Sequence, residues 1–317
     1  MMHGAGRNPG MPLDMDWIAR TTAREGDVEA CASRIRQRAP LMARDEIQLC
    51  LRAIACTDLT TLAGDDTADR VRGLCDRAKA PVDPDLLRAL GRESERSDVE
   101  TPTEVRTAAV CVYHRFIGDA LVELEGTGIP VAAVSAGFPH GLSPLAQRID
   151  EVRASVAEGA EEIDVVIMRA HALTGNWESL FEEVSAFRSA CGDAHLKTIL
   201  ATGELRDLET VARASLVCMM AGADFIKTST GKEEVNATLT AGLVMADAIR
   251  DYRDRTGVAV GLKPAGGIRT AGQALDWLTL AGTTLGPEWT EPGLFRFGAS
   301  SLIADLETRL ESLTAHH

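Results

Sequence analysis

Two lysines interrupt short apolar runs of the sequence, in settings that favour nucleophilic chemistry. Lys227 lies in FIKTSTGK and Lys263 lies in GLKPAGG. Burial disfavours the charged form of a lysine, and the neutral amine that results can attack a carbonyl carbon. If both side chains enter one cavity, we expect each to lower the pKa of the other by like-charge repulsion. One such lysine alone would indicate a surface residue; two after apolar runs favour a site.

A carboxylate lies in a comparable position. Asp164 lies in EIDVVI, where strand alternation places it on the same face as Val166 and Met168. A carboxylate buried among apolar residues needs a partner. The alternation alone does not decide whether Asp164 has a structural role, paired with a nearby group, or a functional one. Lys197, in LKTILATGEL, and Asp58, in DLTTLAGDDT, are weaker candidates that could form ion pairs with buried groups.

Glycines, hydroxyls and a further lysine form candidate anion-binding loops. Exposed amides at glycines and at helix N-termini bind anions. The TSTGK segment is not a nucleotide-binding P-loop, because its upstream glycine spacing fails and Glu233 follows the lysine. The two serines could equally be simple N-caps of the last helix. The predicted anion-binding residues are Gly231, Lys232, Gly266, Gly267, Gly298, Ser300 and Ser301.

These residues need a scaffold that brings distant segments together. Eight short apolar runs alternate with segments of helical spacing, which predicts βαβ units and a parallel sheet. Eight units favour a closed (β/α)8 TIM barrel, in which functional groups lie at the C-terminal strand ends; an open doubly wound sheet is the alternative. The runs are residues 59–62, 108–113, 131–138, 163–168, 196–201, 225–228, 258–263 and 294–298.

The rest of the chain divides by composition. Residues 1–12 are rich in Gly and Pro and are expected to be disordered, and residues 13–56 predict a helical extension outside the barrel. Residues 57–312 hold the barrel, and residues 313–317 form a C-terminal tail. The polar stretch 83–103 predicts an exposed loop.

Composition excludes several classes of protein. The net charge of −14 argues against nucleic-acid and anionic-membrane partners. The seven cysteines are scattered without a CxxC pair, and we find neither a signal peptide nor a long apolar run, which predicts a cytoplasmic protein. The HExxH, GxSxG and GxGxxG motifs are missing, so metalloprotease, serine hydrolase and dinucleotide-binding functions are disfavoured. A homo-oligomer is compatible with the sequence, which does not decide it.

Seven motifs, taken in order, resemble the deoxyribose-phosphate aldolases, a family of class I (Schiff-base) aldolases. They are DLTTLAGDDT, EIDVVI, LKTILATGEL, GADFIKTSTGK, VNAT, GLKPAGGIRT and FRFGASS. Each motif alone is modest, but the ordered set is specific. The resemblance covers about residues 45–312 and is stronger to the longer members of the family.

The resemblance implies a TIM barrel that reversibly cleaves 2-deoxy-D-ribose 5-phosphate into D-glyceraldehyde 3-phosphate and acetaldehyde, without metal or cofactor, in deoxyribonucleotide catabolism. It implies that Lys227 forms the Schiff base, that Lys263 perturbs it and that Asp164 relays protons. Lys197 and Asp58 would be supporting charges, and the glycine and serine loops would bind phosphate. Another Schiff-base aldolase or transaldolase, or a non-catalytic sugar-phosphate-binding barrel, are the alternatives.

The chain departs from the family pattern in three places. Some members have a C-terminal tyrosine that assists proton transfer, whereas the tyrosines here are Tyr113 and Tyr252. Ala201 replaces a glutamate of the shorter members, and Met168 with Arg169 replaces an aromatic-containing pair. These differences bear on strand-end packing and specificity more than on the core chemistry.

Overall fold

Eight parallel strands form a closed barrel in the computed structural model, which describes residues 6–94 and 104–314. Each strand pairs with its sequence neighbour, and β8 pairs with β1. Two bridges, Leu262 with Phe295 and Ala265 with Gly298, join β7 to β8. The predicted (β/α)8 barrel is confirmed, and the open sheet is excluded. The strands are β1 Thr57–Thr60, β2 Ala109–Tyr113, β3 Val131–Ser135, β4 Glu162–Val166, β5 His195–Ile199, β6 Phe225–Lys227, β7 Gly261–Lys263 and β8 Phe297–Ala299.

Helices surround the barrel and cover its outer face. Outward-facing apolar residues of the strands pack beneath them in one continuous core. Short 3₁₀ helices follow β2 and β5 and precede β8, at His114–Phe116, Thr202–Glu204 and Pro287–Thr290. The α-helices are α1 Met15–Arg20, α2 Glu25–Arg36, α3 Ala43–Ala55, α4 Ala68–Lys79, α5 Pro84–Ser94, α6 Ile117–Leu124, α7 Leu145–Ala157, α8 Arg169–Thr174, α9 Trp177–Cys191, α10 Leu208–Met220, α11 Leu239–Thr256, α12 Ala271–Thr284 and α13 Leu302–Thr314.

The barrel interior has two unlike halves. The inward residues of β2 and β3 belong to a small apolar cluster of Ala109, Cys111, Ala132 and Val134, joined by Leu62. The interior of the other strands is charged. This asymmetry follows from alternation, because every second residue of a strand faces inward. The charged half therefore holds the candidate site.

The predicted exposed loop at residues 83–103 is wrong in its first part. Residues Pro84–Ser94 form α5, and Leu90 is buried there while Leu86 and Leu87 pack against the core. These leucines have helical spacing, which the polar residues around them obscured. The rest of the stretch, residues 95–103, lies outside the described residues.

The N-terminal region packs against the outside of the barrel. Helices α1 to α3 lie over α10 to α13. The segment before them is ordered from residue 6, in contrast to the disorder expected for residues 1–12: Asn8 is buried and donates to Asp224, Met219 and Ala223. Residues 1–5 and 315–317 lie outside the described residues. Of the helices described, none is both long and apolar enough to span a membrane.

Candidate active site

Three predicted residues meet inside the charged half of the barrel. The Nζ atoms of Lys227 and Lys263 each lie 2.7 Å from Oδ2 of Asp164. All three side chains are buried, and Lys227, at 3%, is the most exposed of them. One carboxylate oxygen thus holds two amines, so the two lysines share a cavity as predicted.

Strand pairing explains why these side chains meet. Lys227 is opposite Lys263 in the β6–β7 ladder, and Asp164 is opposite Lys197 in the β4–β5 ladder. Residues that are opposite each other in a ladder project to the same side of the sheet. In this barrel that side is the interior, and its C-terminal end opens to solvent near Lys227.

The electrostatics distinguish Lys227 from the other lysines of the cavity. Burial lowers the pKa of Lys227, and the nearby ammonium of Lys263 lowers it further, against the opposing effect of Asp164. Burial would raise the pKa of Asp164, but the ammonium groups of Lys197, Lys227 and Lys263 hold it well below its usual range. An amine whose pKa is lowered therefore lies beside a carboxylate whose pKa is also lowered.

The expectation that the two lysines lower each other's pKa is wrong for Lys263. Burial disfavours its ammonium form, but the carboxylates of Asp164 and Asp58 outweigh burial and raise its pKa. Asp58 makes the difference, because its Oδ2 lies 2.5 Å from Nζ of Lys263. Lys263 is thus the permanent cation of the pair.

Lys197 and Asp58 lie deeper in the barrel and connect the site to its floor. Nζ of Lys197 lies 3.0 Å from Asp164, 3.2 Å from Asp58 and 2.5 Å from Glu162. Burial opposes the charged form of Lys197, yet these three carboxylates raise its pKa well above the usual value. Its ion pairs fix the orientation of Asp164 from below.

Two buried charged residues were missed by the sequence analysis. Arg296 donates to Asp58 at 2.6 Å and to Glu162 at 2.9 Å. A signal was present, because Glu162 is two residues before Asp164 and Arg296 is two before Gly298, so each pair shares a strand face. They form the lower layer of one ion-pair network.

The predicted anion-binding residues gather at the barrel mouth. A cleft of about 190 Å³ contains Lys227 at its base and all seven predicted residues in its lining: Gly231, Lys232, Gly266, Gly267, Gly298, Ser300 and Ser301. It lies after β6, β7 and β8, where barrels commonly bind phosphate. A small anionic compound could thus place its anion at the mouth and its other end near Lys227.

The amides of this cleft are not equally available. The amide of Gly231 donates to the Glu233 carboxylate and that of Gly298 to Pro264. In the described part of the chain, the amides of Gly267, Ser300 and Ser301 have no such acceptor. The last two precede α13, so the start of that helix and Gly267 offer the donors.

Two of the glycines have a packing role. A Cβ on Gly298 would lie 2.7 Å from the Cβ of Ala265, so its absence lets β8 approach β7. Gly266 has φ +79°, and a Cβ there would lie 2.5 Å from Oδ1 of Asn236. Both positions therefore shape the cleft even where they contribute no donor.

Three residues that were considered among the differences from the family pattern, Ala201, Tyr252 and Tyr113, lie at defined positions in the structure. Ala201 has φ +55° and precedes the 3₁₀ helix after β5. Tyr252 donates its hydroxyl to Asn8, beside the start of β6 and away from the mouth. Tyr113 ends β2, half-buried against Phe138.

With this geometry in place, comparison with known proteins identifies the family. The model of the DeoC/LacD family aldolases matches residues 52–304. The chain belongs to the DeoC/LacD family of aldolases. A mouse relative, named deoxyribose-phosphate aldolase, is 50% identical over 303 residues, which are 95% of this chain and 93% of the relative.

Solved structures of other proteins share the barrel fold of this aldolase. A Coccidioides immitis structure named for the same activity as the mouse protein has a TM-score of 0.65 and 24% identity, and covers 91% of this chain and 99% of its own. Deoxyribose phosphate aldolase from Aeropyrum pernix, described as tetrameric, has a TM-score of 0.58 and 22% identity, and covers 86% of this chain and 100% of its own. Both likenesses concern the fold.

Proposed function

We propose that this aldolase reversibly cleaves 2-deoxy-D-ribose 5-phosphate into D-glyceraldehyde 3-phosphate and acetaldehyde through an imine on Lys227. The observation that carries the proposal is the asymmetry of the lysine pair. Lys227 has a lowered pKa and lies at the base of the cleft, while Lys263 has a raised pKa and lies against two carboxylates. The named activity of the mouse relative supports the choice of substrate.

The first half of the reaction forms the electron sink. The neutral amine of Lys227 attacks the aldehyde carbon of the open-chain sugar, and the carbonyl oxygen leaves as water, with one proton from the amine and one taken from solvent. The product is a protonated imine, whose positive charge Asp164 stabilises from the position that it already holds beside Nζ. Lys263, charged throughout, keeps Asp164 in place and can donate a hydrogen bond to the departing oxygen.

The second half breaks the carbon–carbon bond. Asp164, acting through a water, accepts the proton of the 3-hydroxyl group, and the bond between C2 and C3 breaks. Its electron pair moves into the imine and gives an enamine, while C3 becomes the aldehyde of glyceraldehyde 3-phosphate. Protonation of the enamine at C2 and hydrolysis of the imine then release acetaldehyde. Positioned acid–base groups of this kind typically contribute about 10²–10⁴-fold to the rate.

The mouth residues would hold the phosphate. The amides of Gly267, Ser300 and Ser301, together with Lys232, offer donors and positive charge in a chain whose net charge is −14. Because that net charge repels an anion, binding needs a local concentration of donors such as a helix start provides. The phosphate and the aldehyde would thus occupy opposite ends of one cleft.

Borohydride trapping tests the proposal. We expect reduction in the presence of acetaldehyde to add an ethyl group to Lys227, located by peptide mass mapping. We also expect cleavage of 2-deoxyribose 5-phosphate to yield acetaldehyde. Turnover of fructose phosphates or transfer of a dihydroxyacetone group, without acetaldehyde chemistry, would favour another Schiff-base aldolase or a transaldolase. Binding of sugar phosphate without trapping would favour a non-catalytic barrel.

We further propose a reducing, cytoplasmic location and assembly into a homo-oligomer. The first is supported by seven free cysteines, six of them buried. The second is supported by the tetrameric description of the Aeropyrum pernix protein. Fractionation of cells and light scattering of the purified chain test them.

A further inference from the structure

The floor of the charged cavity is closed by one arginine. Arg296 is 5% exposed and immediately precedes β8. Its guanidinium donates through Nε to the Pro292 carbonyl at 2.5 Å, through Nη1 to Asp58 at 2.6 Å and through Nη2 to Glu162 at 2.9 Å. All three of its nitrogens are therefore engaged, in the forked geometry that carboxylates favour.

A buried aromatic ring packs beside this arginine. The guanidinium carbon lies 5.6 Å from the centre of the Phe225 ring. That ring fits only because residue 261 is glycine, since a Cβ there would lie 2.2 Å from it. Arg296 therefore belongs to the dry interior, where ion pairs are screened weakly.

The ion-pair network has no net charge when Lys227 is uncharged. The carboxylates are Asp58, Glu162 and Asp164, and the cations besides Lys227 are Lys197, Lys263 and Arg296. The ring of His195, at the start of β5, also faces Glu162, with Nδ1 3.9 Å from Oε1, and adds a positive charge only when it is protonated. Three negative charges thus face three positive charges, and a proton on Lys227 would be a fourth positive charge in a buried site. Such an excess is costly. Cys111, which faces the same interior from β2, adds no charge because burial raises the pKa of its thiol.

We propose that Arg296 and Glu162 are positioning residues that keep Lys227 in the reactive, uncharged form by fixing this charge balance from below. The inference rests on the proposed function, since it assigns a purpose to the free amine. Arg296 holds Oδ1 of Asp58, which leaves Oδ2 to Lys263 and Lys197. Without Arg296 one negative charge would lack its partner, and a proton on Lys227 would supply it. Without Glu162 the imbalance would have the opposite sign.

A pair of neutral substitutions tests the inference by the sign of their effects. The measurement is the rate of imine formation between acetaldehyde and Lys227 as a function of pH, by borohydride quench and peptide mass mapping. The acidic limb of this profile is the fall in rate at low pH as Lys227 is protonated. We expect Arg296→Gln to shift this limb to higher pH by about one unit or more, which at a given pH on the limb is roughly a tenfold loss of free amine. Glu162→Gln should shift the limb to lower pH. Arg296→Lys should shift it less than Arg296→Gln.

The double variant and a surface control complete the design. Glu162→Gln combined with Arg296→Gln restores the balance, so its limb should lie between those of the single variants. Arg250→Gln removes a half-buried arginine of α11 that pairs with Asp247 outside the barrel and should leave the profile unchanged. Circular dichroism shows which variants fold. If Arg296→Gln does not fold, the shift of the limb to lower pH in Glu162→Gln still tests the inference.

The outcomes separate the inference from the proposed function. Failure of the unsubstituted chain to form the imine on Lys227 would remove the function and the inference together. Normal trapping of the unsubstituted chain, with variants that lose rate equally at every pH and keep the same limb, would overturn the inference alone and leave Arg296 and Glu162 as packing residues.

Discussion

Lys227 and Lys263 are opposite each other in one ladder, and yet their pKa values shift in opposite directions because their carboxylate partners differ. Lys227 contacts Asp164, whereas Lys263 contacts both Asp164 and Asp58. In a weakly screened interior, one additional carboxylate is enough to decide which of two amines keeps its proton. The division of roles is therefore a property of Asp58 as much as of the lysines.

This division predicts how the pH profile responds to Lys263. Lys227→Ala should abolish imine formation. Lys263→Leu should reduce turnover severely and raise the pKa of Lys227, because it removes a neighbouring cation and leaves Asp58 and Asp164 in excess. In the proposed mechanism, protonation of Lys227 on acidification stops imine formation, so activity should be lost at higher pH than in the unsubstituted chain. The measurement is the pH dependence of kcat/KM, which reports groups of the free enzyme.

Conservative and surface substitutions serve as controls. Lys263→Arg keeps the charge but not the shape, so its acidic limb should lie closer to that of the unsubstituted chain than the limb of Lys263→Leu. Lys79→Leu removes a lysine at the protein surface and should change neither limb nor rate. A reduced adduct on Lys263 instead of Lys227 in the unsubstituted chain would reverse the assignment.

At this scale the sequence was informative but incomplete. Alternation and strand-end position gave Lys227, Lys263 and Asp164 as candidates, since charged residues stand out against apolar runs, and the structure brings these three together. The sequence pattern did not identify Glu162 or Arg296. Both lie near strand starts, and they form their ion pair only in the closed barrel. The pKa of Lys263 was misjudged for a related reason: its partner Asp58 is 205 residues away in sequence.

The elements position the site through close contacts between strands. The β6–β7 ladder sets Lys227 beside Lys263, and two residues earlier it sets Phe225 beside Gly261. A side chain at residue 261 would overlap the ring and push the two strands apart. One glycine therefore fixes the distance between the two lysines as well as the floor of the cavity.

Gly261→Ala should accordingly destabilise the fold and the site together. We expect a loss of about 1–3 kcal/mol in the free energy of unfolding, the usual cost of overpacking a core, and a slower imine formation. The matched control is Gly73→Ala in the middle of α4, where a Cβ has no atom within 4 Å. That change should stabilise by about 0.5–1 kcal/mol, because alanine favours helix. Urea unfolding and trapping rates measure both; equal stability of the two variants would contradict the packing argument.

A substitution at the start of α13 should affect phosphate binding without affecting the chemistry at Lys227. Ser300→Glu places a negative charge beside free amides, so KM for 2-deoxyribose 5-phosphate should rise far more than KM for unphosphorylated 2-deoxyribose. Thr308→Glu adds the same charge to an exposed position further along α13 and should have little effect on either substrate. Steady-state kinetics with both sugars provide the comparison. Equal changes for the two sugars would remove the phosphate assignment.

Element positions were predictable where apolar runs are short and bounded, and all eight strands overlap the predicted runs. The errors lie at ends: β7 begins at Gly261 instead of 258, and β1 begins at Thr57 instead of 59. Strand ends depend on where neighbours stop pairing, which a local pattern does not contain. Helix α5 was missed because its apolar face is narrow and its surroundings are charged.

On the scale of the whole molecule, the N-terminal segment connects to the strands that carry the site. The amide of Asn8 donates to Oδ1 of Asp224, whose Oδ2 accepts from the Leu196 amide. Asp224 directly precedes β6, and Leu196 directly precedes Lys197 in β5. The segment thus fastens the starts of two adjacent strands from outside. The Gly and Pro content that predicted disorder carried no signal of these long-range bonds.

Asn8→Ala should therefore weaken the fold without changing the chemistry. The change removes donors to the carbonyls of Met219 and Ala223 and an acceptor for the Tyr252 hydroxyl. The Met219 carbonyl still accepts from the Gly222 amide, whereas the Ala223 carbonyl and the Tyr252 hydroxyl lose Asn8 as a partner. An unsatisfied buried group costs about 1–3 kcal/mol, so the urea midpoint should fall clearly. Tyr252→Phe loses a single bond to the same Asn8, so its urea midpoint should fall less.

Because the barrel mouth lies at the opposite strand ends, KM and the acidic limb of the pH profile should stay the same in both variants. A shifted limb with unchanged stability would instead mean that the segment acts on Lys227 through β6.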